Sequence, residues 1–301
     1  SMTSTTSRPT LKDFLKLCKL KVVALIMLTA VVGMFMSVPG MPPIDLVIFG
    51  SIGIALASSS AAVFNHVVDQ RIDNIMGRTK NRPMPKGKVN TKQAIIFGVV
   101  VGVTGIGILL IFVNTLTAIL TFFALIGYAV IYTMYLKRAT PQNIVIGGAA
   151  GAAPPILGWT TITNSVDVGA LLLFLIVFIW TPPHFWALAI HRAEEYAKVD
   201  VPMLPVTHGL PFTRLQILLY TIILFVVTLV PYLIGMCGLI YLAGAVVLGG
   251  GFLYYAIQML RFPENTKLPM KTFGYSINYL MVLFAILLVD HYFPLHLSQL
   301  V

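Results

Sequence analysis

The stretch that decides the fold is residues 44–73, IDLVIFGSIGIALASSSAAVFNHVVDQRID. Its apolar part, 44–65, is long enough to cross a bilayer as a helix. The stretch then carries three polar residues spaced by four, Asn65, Asp69 and Asp73. Because each four-residue step along an α-helix rotates a side chain by only about 40°, these groups share one face. Carboxylates are costly near a bilayer, so this face indicates a functional site.

The composition of the whole chain is also typical of a membrane protein. Of its 301 residues, 58% are hydrophobic and only 10% are charged, whereas a water-soluble domain of this size needs far more polar surface. The fold class we predict is an all-α polytopic membrane protein, with 1–301 forming a single transmembrane domain. Nine apolar segments have spanning length: 20–38, 44–65, 93–113, 116–136, 143–162, 168–190, 213–234, 238–258 and 274–293.

The positive charges predict an orientation for these segments. When the hydrophilic connections are numbered from the N-terminus, all 20 Lys and Arg residues fall in the odd-numbered ones or in the first two residues of the apolar segment that follows one. The positive-inside rule then predicts a cytoplasmic N-terminus and a periplasmic C-terminus. The net charge of +10 follows from this topology, so we do not expect a nucleic-acid partner. Because no Arg-rich transit segment is visible, we expect a bacterial inner membrane.

Long polar connections on the cytoplasmic side are predicted to hold the chemistry near that face. These cap loops span about 66–92, 191–212 and 259–273, whereas the connections on the other side are short. Loops on a rigid scaffold commonly carry binding and catalytic residues. In the first cap loop, the acidic residues precede a basic run. Carboxylate and amide oxygens suit Mg²⁺, and basic side chains suit the phosphates that such a cation accompanies.

A second polar cluster follows the sixth apolar segment. His184 and His191 are seven residues apart and share a helix face. Tyr196 and Asp200 are four residues apart and share another. Two acidic clusters on one side of the membrane indicate a metal–diphosphate site divided between two helices, where Mg²⁺ neutralises the leaving group.

Several of these residues also have a purely structural interpretation. Asp69 and Asp73 are compatible with ordinary ion pairs to nearby arginines in a solvated loop. Lys137 and Arg138 suit a positive-inside anchor as well as they suit a diphosphate clamp. His184, next to a Pro-Pro pair that predicts a kink, is compatible with either a satisfied interior histidine or a ligand.

The first cluster resembles a motif of the UbiA prenyltransferase superfamily, N-x3-D-x3-D-x4-R-T-x2-R-P. All seven motif positions are matched in register: Asn65, Asp69, Asp73, Arg78, Thr79, Arg82 and Pro83. The second motif of that superfamily usually reads D-x3-D, whereas this chain has Tyr196 and Asp200 at those positions. With this departure and with the run from Thr181 to Arg192, the sequence is similar to the heme O synthase branch of the superfamily.

This resemblance implies a fold and a reaction. It implies nine helices around a central cavity, with a polar cap on the cytoplasmic side. The implied substrates are farnesyl diphosphate and heme B, which meet within the lipid bilayer, and the implied cofactor is Mg²⁺. The farnesyl group would pass to a heme vinyl group with addition of water, giving heme O. A heme A synthase or a terminal oxidase assembly is the corresponding partner.

The hypothesis assigns each candidate residue a role. The candidate Mg²⁺ ligands are Asn65, Asp69, Asp73 and Asp200, with Tyr196 as a further catalytic candidate. The candidate diphosphate ligands are Arg78, Lys80, Arg82, Lys137 and Arg138. The candidate heme or prenyl contacts are His184, His191, Tyr132 and Tyr135. The tyrosine rings would shelter an allylic cation, and a histidine would contact the heme iron or a propionate, or accept a proton.

Two alternatives share the membrane architecture but differ in function. A prenyltransferase acting on an aromatic quinone precursor would not require the two histidines of the second cluster. A heme or ion transporter would use broken helices near the bilayer midplane, whereas the acidic residues here cluster at one end of the spans.

Overall fold

The computed structural model describes residues 8–18, 20–76, 89–128, 148–193, 205 and 208–301, with the side chains of 68–76 left aside. Helices and their connections make up these parts of the chain. Ten helices are named here: α1 Leu11–Leu17, α2 Leu20–Met36, α3 Ile44–Met76, α4 Thr91–Phe112, α5 Thr115–Ile126, α6 Pro154–Thr163, α7 Val168–His191, α8 Leu210–Leu233, α9 Leu239–Arg261 and α10 Leu268–Tyr292. A short 3₁₀ turn, Leu297–Gln299, follows.

The protein is a multi-pass membrane protein. In the described part of the chain, 6 helices are long and apolar enough to span a bilayer, namely α3, α4 and α7 to α10. The count rises to 7 when α1 and α2, which meet at a 60° bend, are taken as one span. The fourth and fifth predicted spans, 116–136 and 143–162, extend into residues 129–147, which lie outside the described part of the chain. Nine spans, and the orientation of the termini, therefore stay predictions.

The first and third predicted cap loops are partly helical. α3 runs unbroken to Met76, although the cap loop was expected from residue 66. The third connection is also shorter than expected, since α9 continues to Arg261 and α10 begins at Leu268. The physical reason is that hydropathy marks the edge of the lipid, whereas a helix continues into water until a glycine, proline or cap ends it.

A helix break lies in the fifth apolar segment, where the prolines predict it. Residues 148–151 are helical, a turn follows, and α6 restarts with Pro154 and Pro155 in its first turn. Proline suits that place because the first helical N–H groups have no intrahelical acceptor. α7 is helical without a break through Pro182 and Pro183, and the kink that the sequence predicts there stays a prediction.

Close packing of small residues brings α2 and α6 together. A Cβ atom on Gly33 would collide with the Pro155 carbonyl oxygen, and one on Gly158 with the Ala30 carbonyl oxygen. Glycine at such crossings lets helix backbones approach within a bilayer. α10 also packs against α2, so the last long helix closes against the first one.

Asp290 of α10 caps the start of α9. Its side chain is buried, and its two oxygens accept hydrogen bonds from the backbone N–H groups of Gly238 (2.8 Å) and Tyr241 (2.9 Å). These donors belong to the first turn of α9 and have no intrahelical acceptor. Burial, and then the charge of Asp290, raise the pKa of the nearby Cys237 thiol to about 12, so this thiol stays protonated.

Removing this cap should destabilise the protein. Asp290→Ala would leave two buried N–H groups unpaired, at a cost of about 2–4 kcal/mol in the free energy of unfolding. Asp290→Asn keeps one acceptor oxygen and should lose less. Thermal unfolding of the detergent-solubilised variants measures this order, and equal melting temperatures for all three proteins would contradict the capping role.

Candidate functional site

Asn65 lies near the end of the lipid-spanning part of α3, Ile44–Val67, at the end predicted to be cytoplasmic. Its side chain is buried, and its amide Nδ2 donates a hydrogen bond to Tyr128 Oη, 3.3 Å away. Asp69 and Asp73 lie about one and two turns further along the same helix. Their side chains are outside the described part of the structure. The predicted helical spacing of the three residues is thus present in the backbone.

An apolar pocket, partly open to its surroundings, lies directly beside this hydrogen bond. Tyr128 belongs to its wall, together with residues of α2, α3, α5, α6 and the 148–151 segment. Small side chains predominate: Ala57, Ser58, Ala61, Ala124, Ala150 and Gly151. The pocket suits an apolar chain whose polar end faces α3.

His184 is buried in the contact between α7 and α10. Its Nδ1 atom lies 2.6 Å from the Oγ atom of Ser276. Its ring stacks on Trp180, with centroids 4.2 Å apart, and on Phe273, with centroids 4.6 Å apart. The indole nitrogen of Trp180 donates to the Ser276 backbone carbonyl at 2.9 Å. These contacts fix the plane and the rotation of the imidazole.

His191 lies in a different environment at the end of α7. It is exposed and lines a second, partly open pocket, which also includes Arg214 and Asn265. Leu268 and Pro269 of α10 belong to the same pocket. Both histidines therefore lie along α10, as their seven-residue spacing predicts, but only His184 is enclosed.

The remaining candidate residues lie outside the described part of the chain. These are Arg78, Lys80, Arg82, Tyr132, Tyr135, Lys137, Arg138, Tyr196 and Asp200. Within the described residues, no group of three or more His, Cys, Asp or Glu side chains is arranged to hold a metal ion. The proposed Mg²⁺ carboxylates are not among the side chains to which that statement applies.

Sequence reasoning missed two residues that contact the candidates. Tyr128 is 63 positions from Asn65, and Ser276 is 92 positions from His184. Local spacing carries no signal for partners so far apart in the chain. The contact between Trp180 and His184 could have been predicted from the sequence, because Trp180 precedes His184 by one helical turn and therefore lies on the same face.

Comparison with known proteins agrees with this arrangement. The sequence profile of the UbiA prenyltransferase family matches residues 26–285. The protoheme IX farnesyltransferase of Ruthia magnifica subsp. Calyptogena magnifica is 64% identical over 287 residues, covering 94% of this chain and 96% of the relative. The protoheme IX farnesyltransferase of Methylococcus capsulatus is 58% identical over 284 residues, covering 94% and 95%.

Solved structures show the same fold at low sequence identity. Digeranylgeranylglyceryl phosphate synthase superposes with a TM-score of 0.78 at 19% identity, covering 94% of this chain and 98% of that one. A UbiA homolog from Archaeoglobus fulgidus, bound to GPP and Mg²⁺, has a TM-score of 0.66 at 14% identity, covering 91% and 99%. The profile match and the high-identity relatives assign the chain to a family by sequence, and the solved structures show that its fold is the same. It belongs to the UbiA prenyltransferase family.

Proposed function

We propose that this protein transfers a farnesyl group from farnesyl diphosphate to a vinyl group of heme B, with addition of water, to give heme O. The relatives that are 64% and 58% identical over almost the whole chain are protoheme IX farnesyltransferases. The structural observation that supports the proposal best is the hydrogen bond from Asn65 to Tyr128. It joins the polar end of α3 to an apolar pocket, as a prenyl diphosphate requires.

The diphosphate would bind at the end of α3. The Asn65 amide and the Asp69 and Asp73 carboxylates are hard oxygen donors, which suit Mg²⁺. Asp200, next to Tyr196, would add a donor from the second cluster. When bound, Mg²⁺ offsets the charge of the departing diphosphate. The Archaeoglobus fulgidus homolog bound to GPP and Mg²⁺ supports the same use of the fold here.

Basic side chains would hold the diphosphate oxygens that remain. The candidates are Arg78, Lys80, Arg82, Lys137 and Arg138, all from predicted cytoplasmic segments. Fixed positive charges that are already in place where negative charge develops lower the barrier to ionisation. The carbon–oxygen bond of farnesyl diphosphate then breaks, and its electron pair leaves with the diphosphate.

The farnesyl chain would occupy the pocket between α3, α5 and α6. The wall is largely apolar and lies inside the membrane-spanning region, so water is excluded from the allylic cation. Tyr132 and Tyr135 would present aromatic faces to that cation. A heme vinyl carbon attacks the farnesyl carbon, water adds to the resulting heme-side cation, and one proton is released. His184 and His191 are the candidate heme contacts.

The proposal includes a membrane arrangement. Residues 1–301 form one domain with nine spans, the N-terminus is cytoplasmic, and the chemistry lies near the cytoplasmic face of a bacterial inner membrane. The positive-inside distribution of Lys and Arg supports this orientation. The heme O formed by the protein would be consumed by a heme A synthase or a terminal oxidase assembly.

Expression in a bacterium that lacks its own heme O formation tests the function. We expect membranes from cells carrying this gene to contain a heme with a hydroxyethylfarnesyl group, detected by chromatography and mass spectrometry of the extracted hemes. Cells carrying the empty vector provide the control. Heme B alone in both strains, with the protein present in the membrane at normal levels, would contradict the proposal.

A further inference from the structure

The hydroxyl group of Ser276 makes two short hydrogen bonds. Its Oγ atom lies 2.6 Å from the backbone carbonyl oxygen of Phe273 and 2.6 Å from His184 Nδ1. A carbonyl oxygen only accepts, so the single hydroxyl proton of Ser276 is donated to Phe273. The same oxygen must then accept from the imidazole. Nδ1 of His184 therefore carries a proton.

This pattern sets the tautomer of the histidine. In a neutral imidazole, one nitrogen carries the proton and the other has an available lone pair. With the proton on Nδ1, the lone pair of His184 is on Nε2. A neutral ring is also the form that suits a site inside a membrane, where an unpaired charge is costly. A 180° flip of the ring would keep its stacking on Trp180 and Phe273 but would place Cδ2 instead of Nδ1 beside Ser276 Oγ, so the hydrogen bond to Ser276 selects the observed orientation.

Nε2 itself is available to a ligand. Among the described residues, the hydrogen bond of this ring is the one between Nδ1 and Ser276, and Nε2 has no partner. A nitrogen with a lone pair cannot donate a hydrogen bond to a carboxylate, so contact with a heme propionate is disfavoured. It is suited to bind a metal, and histidines that bind metals usually donate through the other ring nitrogen to a neighbouring oxygen.

We infer that Ser276 is a positioning residue that holds His184 with its Nε2 lone pair directed to the iron of heme B. This inference rests on the proposed function only in taking heme B as the substrate. It assigns the iron contact to His184 rather than to His191, and it assigns a role to Ser276 that no sequence motif indicates. In this arrangement the iron would anchor the porphyrin while its vinyl group reacts.

Two porphyrins separate iron binding from packing. We would titrate purified protein with ferric heme B, followed by its Soret absorbance, and with iron-free protoporphyrin IX, followed by its fluorescence. His184→Ala and Ser276→Ala should each weaken heme B binding, by about 10–100-fold for Ser276→Ala, and should change the Soret band. Neither should alter protoporphyrin IX binding, because that molecule has no iron to bind.

Thr272 provides the matched control. It lies one turn before Ser276 on α10, is also fully buried, and donates its hydroxyl to the Leu268 carbonyl at 2.8 Å. Thr272→Val removes a buried hydroxyl from the same helix without touching His184, so heme B binding should stay unchanged. If Ser276→Ala does not accumulate, Ser276→Cys keeps a weak acceptor at this site, and its heme affinity should be intermediate.

The outcomes that would overturn the inference are specific. Equal losses for both porphyrins in His184→Ala would indicate packing or a propionate contact. Unchanged heme B binding in Ser276→Ala or Ser276→Cys would remove the positioning role. The proposed function fails separately, when wild-type protein shows the histidine-dependent Soret band but forms no farnesylated heme.

Discussion

Asp69→Asn should reduce farnesyl transfer by about 10³-fold. The exchange keeps the size of the side chain but removes the negative charge at the proposed Mg²⁺ site, one turn beyond Asn65 on α3. Without that charge, Mg²⁺ would bind more weakly, and the negative charge of the departing diphosphate would be less well neutralised. The measurement is the initial rate of farnesylated heme formation by purified protein across a range of Mg²⁺ concentrations.

Asp45 supplies the matched control for this experiment. It is an exposed aspartate in the first turn of the same helix, at the opposite end from Asn65. Asp45→Asn makes the same chemical change outside the proposed site, so its rate should equal that of the wild type. Full activity of Asp69→Asn at every Mg²⁺ concentration would exclude this carboxylate from the mechanism.

Gly151→Leu should lower kcat/KM for farnesyl diphosphate by about 10²-fold, because the new side chain would occupy the volume meant for the prenyl chain. Gly151 lines the pocket, and a Cβ atom at this position would meet nothing within 4 Å. The leucine can therefore enter the pocket without displacing the backbone. Steady-state rates over a range of farnesyl diphosphate concentrations measure the effect.

Gly107 on α4 allows a control with the same substitution. A Cβ atom at this position also meets nothing within 4 Å, and the residue is not part of the pocket wall. Gly107→Leu should retain wild-type kinetics, and both variants should bind heme B normally. If Gly151→Leu uses farnesyl diphosphate as well as Gly107→Leu does, the prenyl chain binds elsewhere.

Hydropathy predicts the lipid-facing helices well because the bilayer imposes a minimum apolar length. The predicted span 168–190 corresponds to α7, Val168–His191, and 213–234 corresponds to α8, Leu210–Leu233. The extension of α3 to Met76 was not visible in hydropathy, since its last turns are polar. The spacing of Asn65, Asp69 and Asp73 did indicate it, because that spacing is meaningful only on a helix.

The candidate site was predictable where its residues are close in sequence. The motif around Asn65 and the two histidines of α7 are local patterns. The contacts that orient them depend on how helices pack. Tyr128 reaches Asn65 from two residues beyond the end of α5, and Ser276 reaches His184 from α10. Nothing in the neighbourhood of either residue specifies these partners, so three-dimensional packing was needed to find them.

A competition between acceptors tests the central claim most directly. Purified protein would receive farnesyl diphosphate and Mg²⁺ together with equal amounts of heme B and an aromatic quinone precursor, and the products would be identified by mass spectrometry. We predict that only heme B gains a farnesyl group and a hydroxyl group, and that omission of Mg²⁺ abolishes the product. A farnesylated aromatic acid with unmodified heme B would contradict the account.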